Sequence, residues 1–185
     1  MNTTLYSALF VSTFALVACS SSGPDGADST GSSTSAQSQA ASVTEYCAGV
    51  CTRAKACDRT VDAETCARKC ENSNAAAFPS YRSDFVAVIR ACYDEIDCKS
   101  VLAGGALGTC ISEANETTST SPAAVSLCDA WSDAAAACGK DLSKGTCLKV
   151  VKVYTDGALD AAKACTKKSC SDISKCIGAE LNLDL

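Results

Sequence analysis

Cysteine is the residue that most constrains this chain: 15 of its 185 residues are Cys, and none is His. Zinc sites in proteins usually combine closely spaced C-x2-C pairs, often with His, and the chain contains no C-x2-C pair. Only four Phe, five Tyr and one Trp are present, so large side chains can build only a thin core. We therefore expect disulfides rather than a metal or another cofactor, and an oxidising compartment in which disulfides persist.

The N-terminus has the pattern of an export signal. Residues 5–18 form an apolar run of 14 residues, the length of a signal-peptide core and too short to span a bilayer. The run ends in Leu16-Val17-Ala18-Cys19, which resembles the bacterial lipobox, in which the Cys receives diacylglycerol before cleavage. The first four residues depart from the usual pattern because they carry no Lys or Arg. We predict a lipoprotein signal peptide at 1–18 and lipidation of Cys19.

The alternative is an ordinary secretory signal that leaves Cys19 as an odd thiol. Cysteine parity favours lipidation, because setting Cys19 aside leaves fourteen cysteines, an even number that can pair completely. Ser20 rather than Asp follows the lipidated position, which by resemblance to enterobacterial sorting favours the outer membrane over the inner one. Two or three acyl chains anchor a protein stably. We thus expect attachment to the bacterial cell envelope through lipid, with the membrane as a partner.

Composition then divides the mature chain. Residues 19–42 are rich in Ser, Gly, Thr and Ala without a large apolar side chain, which predicts a disordered, flexible tether with a reach of about 25 Å. Two cysteine clusters follow, and a polar linker at 113–123 separates module 1 at 43–112 from module 2 at 124–185.

The two clusters share a plan. Cys47, Cys57 and Cys66 are spaced by ten and nine residues, and the same spacings recur at Cys128, Cys138 and Cys147. Arg-Ala-Cys92 also matches Lys-Ala-Cys165. The pattern indicates a divergent duplication.

Apolar periodicity predicts an all-α fold made of two small, disulfide-stapled helical bundles. Phe85, Val88, Ile89, Cys92 and Ile96, for example, lie on one helical stripe. Four helices are expected in each module: 44–57, 62–76, 82–97 and 100–113, then 124–138, 144–154, 157–168 and 171–181.

The sequence constrains the pairing of the cysteines less than it constrains the positions of the helices. Cys51 and Cys70 both lack counterparts in module 2, where Ser132 and Val151 stand, so we expect them to bond to each other. An up-and-down bundle with bonded residues at equal heights predicts the other six pairs, which are Cys66–Cys92, Cys57–Cys98, Cys47–Cys110, Cys147–Cys165, Cys138–Cys170 and Cys128–Cys176.

Two other pairing schemes stay open. Twin C-x3-C hairpin pairing would join Cys47 to Cys70 and Cys51 to Cys66, and it would strand Cys128 and Cys147 unless they re-pair. A further scheme uses Cys57–Cys66 and Cys138–Cys147.

A lipobox, a Ser/Gly/Thr tether and Ala-rich segments with the spacing C-x3-C-x5-C-x8-C-x3-C together resemble the cysteine-rich lipoproteins of myxobacteria and related bacteria. The resemblance covers most of the mature chain and depends mainly on spacing. It implies an exported or surface-attached helical module, mostly without an assigned activity. Module 2 departs from the pattern because it lacks counterparts of Cys51 and Cys70.

Few residues are candidates for chemistry. Without His, a Ser-His-Asp or Cys-His site is impossible, and complete pairing leaves no catalytic thiolate. We interpret Asp94, Glu95 and Asp97 as solvated surface, and Trp131 as a core residue. Gly104, Gly105 and Gly108 lack the following Gly-Lys-Ser/Thr of a phosphate loop and suggest either close helix packing or a bent fourth helix.

The net charge of −5, with both signs interspersed, does not favour nucleic acid as a partner. The sequence therefore predicts a non-catalytic binding or structural protein at the envelope, with a cell-surface enzyme or enzyme inhibitor as the alternative.

Overall fold

In a computed structural model, the structure describes residues 41–183. The predicted signal peptide, Cys19 and most of the predicted tether lie outside this range. Between residues 41 and 183 the chain forms no strand and nine α-helices, so the predicted all-α class is confirmed. The helices are Val43–Cys57 (α1), Ala63–Asn74 (α2), Ser83–Glu95 (α3), Cys98–Leu102 (α4), Ala106–Thr117 (α5), Pro122–Ala137 (α6), Lys144–Val151 (α7), Asp156–Ala164 (α8) and Ile173–Leu181 (α9).

Short polar side chains begin several of these helices. Ser42 accepts a hydrogen bond from the backbone N–H of Glu45 at 3.3 Å, and Asp62 accepts one from Thr65 at 2.7 Å. Ser121 precedes Pro122 and caps α6 in the same way. Each cap satisfies a backbone donor that the first helical turn leaves without a partner.

The fourth predicted helix of module 1 is divided into α4 and α5. Gly104 lies between them with a φ of +77°, a left-handed conformation that favours glycine. The bend that the glycines suggested is therefore present. Helix α5 then continues to Thr117, into the segment predicted as a linker, because Ala114 is fully buried and prolongs the packed face.

Each module consists of two helical hairpins. In module 1, α2 packs on α1, α5 packs on α3, and α1 contacts α3 and α4. In module 2, α7 packs on α6, α9 packs on α8, and α6 contacts α8. The first helix of each module is therefore central, and the second helix lies against it rather than against the third.

Disulfides follow this hairpin arrangement. Within residues 41–183, seven pairs account for all fourteen cysteines: Cys47–Cys70, Cys51–Cys66, Cys57–Cys98, Cys92–Cys110, Cys128–Cys147, Cys138–Cys170 and Cys165–Cys176. Five of them staple a hairpin internally. The other two, Cys57–Cys98 and Cys138–Cys170, each join the two hairpins of one module, and both are pairs that the sequence predicted.

The structure contradicts the other five predicted pairs, which are Cys51–Cys70, Cys66–Cys92, Cys47–Cys110, Cys147–Cys165 and Cys128–Cys176. The prediction placed the second helix of each module beside the third and the first beside the last. The cysteines instead face their own hairpin partners, because consecutive antiparallel helices bring residues of equal height together. In α1 and α2 the outer cysteines pair with each other, and so do the inner ones.

Module 2 re-pairs its remaining cysteines. Cys128 corresponds by spacing to Cys47 and Cys147 to Cys66, yet in module 2 these two bond to each other across α6 and α7. One staple closing a separation of 19 residues thus replaces two that close 23 and 15 residues. The assumption that two missing cysteines must have been partners was therefore wrong.

The apolar core extends through both modules. Phe78 and Phe85 of module 1 belong to the same buried cluster as Leu127 and Ile177 of module 2. Trp131 is 9% exposed within this cluster, which confirms that it is a core residue. Because the buried cluster is continuous, the two modules pack together as one folded unit.

Candidate functional site

The two modules meet at a short backbone pairing between residues 80–82 and 153–155. Tyr81 and Tyr154 form an isolated antiparallel bridge. Its two hydrogen bonds run from Arg82 N to Val153 O at 3.0 Å and from Thr155 N to Ser80 O at 2.8 Å.

This pairing joins equivalent positions of the two modules. The offset of 73 residues that aligns Cys92 with Cys165 also aligns Tyr81 with Tyr154. Each hydrogen bond of the bridge is therefore the counterpart of the other, as in the isologous contact of a twofold dimer. The arrangement supports a duplicated module packed against its own copy.

The two tyrosine rings stack across the junction. Their centroids are 5.1 Å apart and the rings are inclined by 25°. Burial raises the pKa of Tyr154 far above its usual value, and a hydrogen bond with the Tyr81 hydroxyl raises it further. Both phenols therefore stay neutral and act as packing and hydrogen-bonding groups.

Arg82 holds three segments together at the same place. Its side chain is completely buried, and its Nε and Nη2 donate to the two carboxylate oxygens of Asp84. Its Nη1 donates to the backbone oxygen of Ser119 at 2.8 Å and to that of Lys152 at 3.1 Å. The guanidinium thus links the start of α3, the segment before α6 and the end of α7.

Arg82 and the three residues that it contacts, Asp84, Ser119 and Lys152, have a structural role. Nε, Nη1 and Nη2 of Arg82 all have partners in the protein, so no free charge is directed at a ligand. Sequence reasoning did not identify Arg82 or the tyrosine pair. The 73-residue offset offered a signal, because it aligns the two tyrosines directly before the third helix of each module.

A surface groove with a volume of about 440 Å³ lies between α1 and α3. Arg90 lies across Gly49 and donates to the backbone oxygen of Glu45 at 3.1 Å. A Cβ at Gly49 would clash with this guanidinium, so the glycine permits the close approach. Thr52 and Asp94 complete the polar lining of this shallow, open groove.

The three acidic residues considered in the sequence analysis, Asp94, Glu95 and Asp97, are exposed, and Asp97 has a structural role. Asp97 caps α4 by accepting hydrogen bonds from the backbone N–H and the hydroxyl of Ser100. These bonds hold the pKa of Asp97 below its usual value. Asp94 and Glu95 are exposed at the end of α3, and Asp94 lines the groove.

The corner between α4 and α5 is the most apolar exposed part of the described chain. Leu102 is 57% exposed and Leu107 is 37% exposed. Gly104, Gly105 and Gly108 lie beside them and have open space around their Cα atoms. These glycines shape the corner between the two helices.

The predicted lipidation site, Cys19, lies outside the described residues. Within residues 41–183, no helix is long and apolar enough to cross a membrane. The same part of the chain contains no group of three or more His, Cys, Asp or Glu side chains arranged to hold a metal ion.

Comparison with known proteins identifies no relative. No protein family matches the chain, and neither a curated protein nor a solved structure is significantly similar to it.

Proposed function

We propose that the protein is a lipoprotein of the bacterial cell envelope, anchored through lipid on Cys19, whose helical modules serve as a non-catalytic binding or structural unit. The observation that carries the proposal is the disulfide arrangement. Fourteen of the fifteen cysteines are paired, and the remaining one is Cys19, directly after the apolar run and the lipobox-like residues. A cysteine destined for acylation is expected to stay out of the disulfide framework.

The disulfide-linked fold is consistent with a location outside the cytoplasm. Five disulfides lie within hairpins and two join hairpins. Every described α-helix except α8 contains a cysteine bonded to another part of its module, and Cys165 directly follows α8. Such a framework persists only where thiols are not kept reduced. It also stabilises a protein with few large apolar side chains, by restricting the unfolded chain.

A non-catalytic role is supported by how the reactive side chains are used. The fourteen paired cysteines have no thiolate to offer, and Asp97 is committed to capping a helix. The guanidinium of Arg82 is committed to the module junction. A role in contacting another envelope component through the outer surface of the modules fits this distribution better than hydrolysis or group transfer.

Acylation and fractionation test the anchor. The full chain and its Cys19→Ala variant are expressed in a bacterium that is fed an alkyne-tagged fatty acid. We expect label and membrane association for the unaltered chain, and neither for the variant. A Cys19→Ala protein that stays in the membrane fraction, or an unlabelled parent chain, would refute the proposal.

Membrane sorting is tested separately with Ser20→Asp. This change leaves the lipidation cysteine in place and alters only the residue after it. We expect the labelled protein to move from the outer to the inner membrane on density-gradient separation. An unchanged distribution would contradict sorting by this position while leaving the anchor itself supported.

A further inference from the structure

We infer that the Cys138–Cys170 disulfide is a site of thiol–disulfide exchange, at which a dithiol reductant can uncouple the two hairpins of module 2 without dismantling either one. The inference concerns the folded part and holds whether or not Cys19 is acylated.

Exposure distinguishes this disulfide from the others. Cys170 is the one exposed residue among the fourteen paired cysteines of the described chain, and its partner Cys138 is half-buried. Cys170 lies in a turn between the end of α8 and the start of α9, outside any helix. Exchange requires a thiolate to approach one sulfur from outside, so access to the attacked sulfur governs its rate.

The position of Cys138–Cys170 among the disulfides of module 2 determines what its opening would change. Within residues 41–183, Cys138–Cys170 is the only cross-link between the α6–α7 hairpin and the α8–α9 half of module 2. The other two disulfides of the module, Cys128–Cys147 and Cys165–Cys176, each lie within one half. Opening the exposed disulfide therefore leaves the halves joined only by the packing of α6 on α8, while each half stays internally cross-linked.

The exchange balances with a dithiol as the reductant. Its thiolate attacks Sγ of Cys170 and forms a mixed disulfide. The bond to Cys138 breaks, and its electron pair leaves on Sγ of Cys138, which takes up a proton. The second thiol of the reductant then attacks the mixed disulfide and releases Cys170 as a thiol. The reductant ends as a disulfide, and two electrons have passed to the protein.

Module 1 provides a matched internal control. Cys57–Cys98 occupies the equivalent place, because it is the only cross-link between the α1–α2 and α3–α5 hairpins in the described chain. Both of its cysteines are half-buried. The two disulfides thus share their role in the fold and differ in exposure.

Graded reduction of the native full chain tests the inference. Dithiothreitol is added, samples taken at increasing times are quenched with excess N-ethylmaleimide, and the labelled cysteines are quantified peptide by peptide. We expect Cys138 and Cys170 to be labelled about tenfold faster than Cys57 and Cys98. Equal rates for the two pairs, or simultaneous reduction of all seven disulfides, would overturn the inference.

Hydrogen exchange tests the uncoupling. After selective opening, amides in α8 that face α6 should exchange at least about tenfold faster, because the halves then separate more readily. Amides of α1 and α3 should be unchanged. The double variant Cys138→Ser/Cys170→Ser should reproduce this pattern without reductant. Should that variant fail to fold, the selectively reduced native protein provides the same measurement. Unchanged protection of α8 after opening would refute the uncoupling.

Discussion

Replacing Arg82 with alanine should weaken the junction between the modules more than any exposed substitution can. The change removes the donors to two backbone oxygens, those of Ser119 and Lys152, and leaves the Asp84 carboxylate without its partner. Removing one member of a buried ion pair costs about 3–5 kcal/mol. The side chain of Asp84 is 33% exposed, so water can rehydrate it, and we expect about 3–4 kcal/mol of lost unfolding free energy.

Arg68→Ala is the matched control. Arg68 also pairs with a carboxylate, that of Glu64 at 2.9 Å, but the two side chains are 55% and 81% exposed. An exposed pair one helical turn apart contributes at most about 0.5 kcal/mol. The two variants thus remove the same type of side chain and differ in burial.

Urea unfolding, with disulfides intact, is the assay. Trp131 is the sole tryptophan and lies in module 2, so its fluorescence reports that module, whereas far-UV circular dichroism reports both. We expect the two signals to coincide for the parent chain and to separate in Arg82→Ala, because the modules then unfold independently. A loss below about 1 kcal/mol together with coincident signals would refute the role assigned to Arg82.

Three further variants probe the staples, a buried phenol and the helix corner. Cys51→Ser/Cys66→Ser opens a separation of 15 residues and should cost about 3 kcal/mol in chemical unfolding, yet keep its helical circular dichroism, because module 2 folds with a single staple at this place. Burial, with a smaller contribution from neighbouring Tyr93, raises the pKa of Tyr46 to about 12, so the folded state retains a proton that the unfolded state loses near pH 10. Stability should therefore fall between pH 10 and pH 12, and Tyr46→Phe should reduce the slope of a urea-midpoint titration; an unchanged slope would contradict this. Gly104→Ala should cost about 1 kcal/mol in thermal unfolding because φ is +77°, whereas Gly105→Ala, at a φ of −86°, should be nearly neutral, and equal effects would refute the strain.

Helical periodicity was sufficient to predict the class of the fold and most helices. The stripe that begins at Phe85 became α3, whereas the helix predicted at 144–154 is α7 and ends earlier, at Val151. Local spacing reports which residues share a face of one helix. The alignment of the two modules, rather than local spacing, predicted that Trp131 faces the core, where the structure places it.

Pairing between helices could not be predicted in the same way. Cysteine spacing fixes which face of a helix a cysteine occupies but not which neighbouring helix that face meets. The bundle with α2 beside α3 and the hairpins with α2 beside α1 satisfy the same spacings, so Cys92 is an acceptable partner for Cys66 in the first arrangement and Cys51 in the second. Cys57–Cys98 was predictable because the ends of α1 and α4 lie close together in either arrangement.

The contact between the two modules could not be predicted from local sequence patterns. Arg82 stands beside a turn, where an arginine is ordinarily exposed, and its burial depends on carbonyl groups 37 and 70 residues away. The internal alignment makes Tyr81 and Tyr154 equivalent positions, but equivalence alone does not indicate that the two residues are in contact.

Disulfide mapping tests most directly whether cross-linked hairpins hold this fold together. The full chain is denatured without reductant in the presence of N-ethylmaleimide and then digested, with cleavage before Asp94 and Asp97 to separate Cys92 from Cys98. We predict no maleimide on the fourteen cysteines of the folded part, a Cys92–Cys110 link, and both Cys47 and Cys51 joined to α2. Maleimide on any of these fourteen cysteines, or Cys92 bonded to Cys66, would contradict the account.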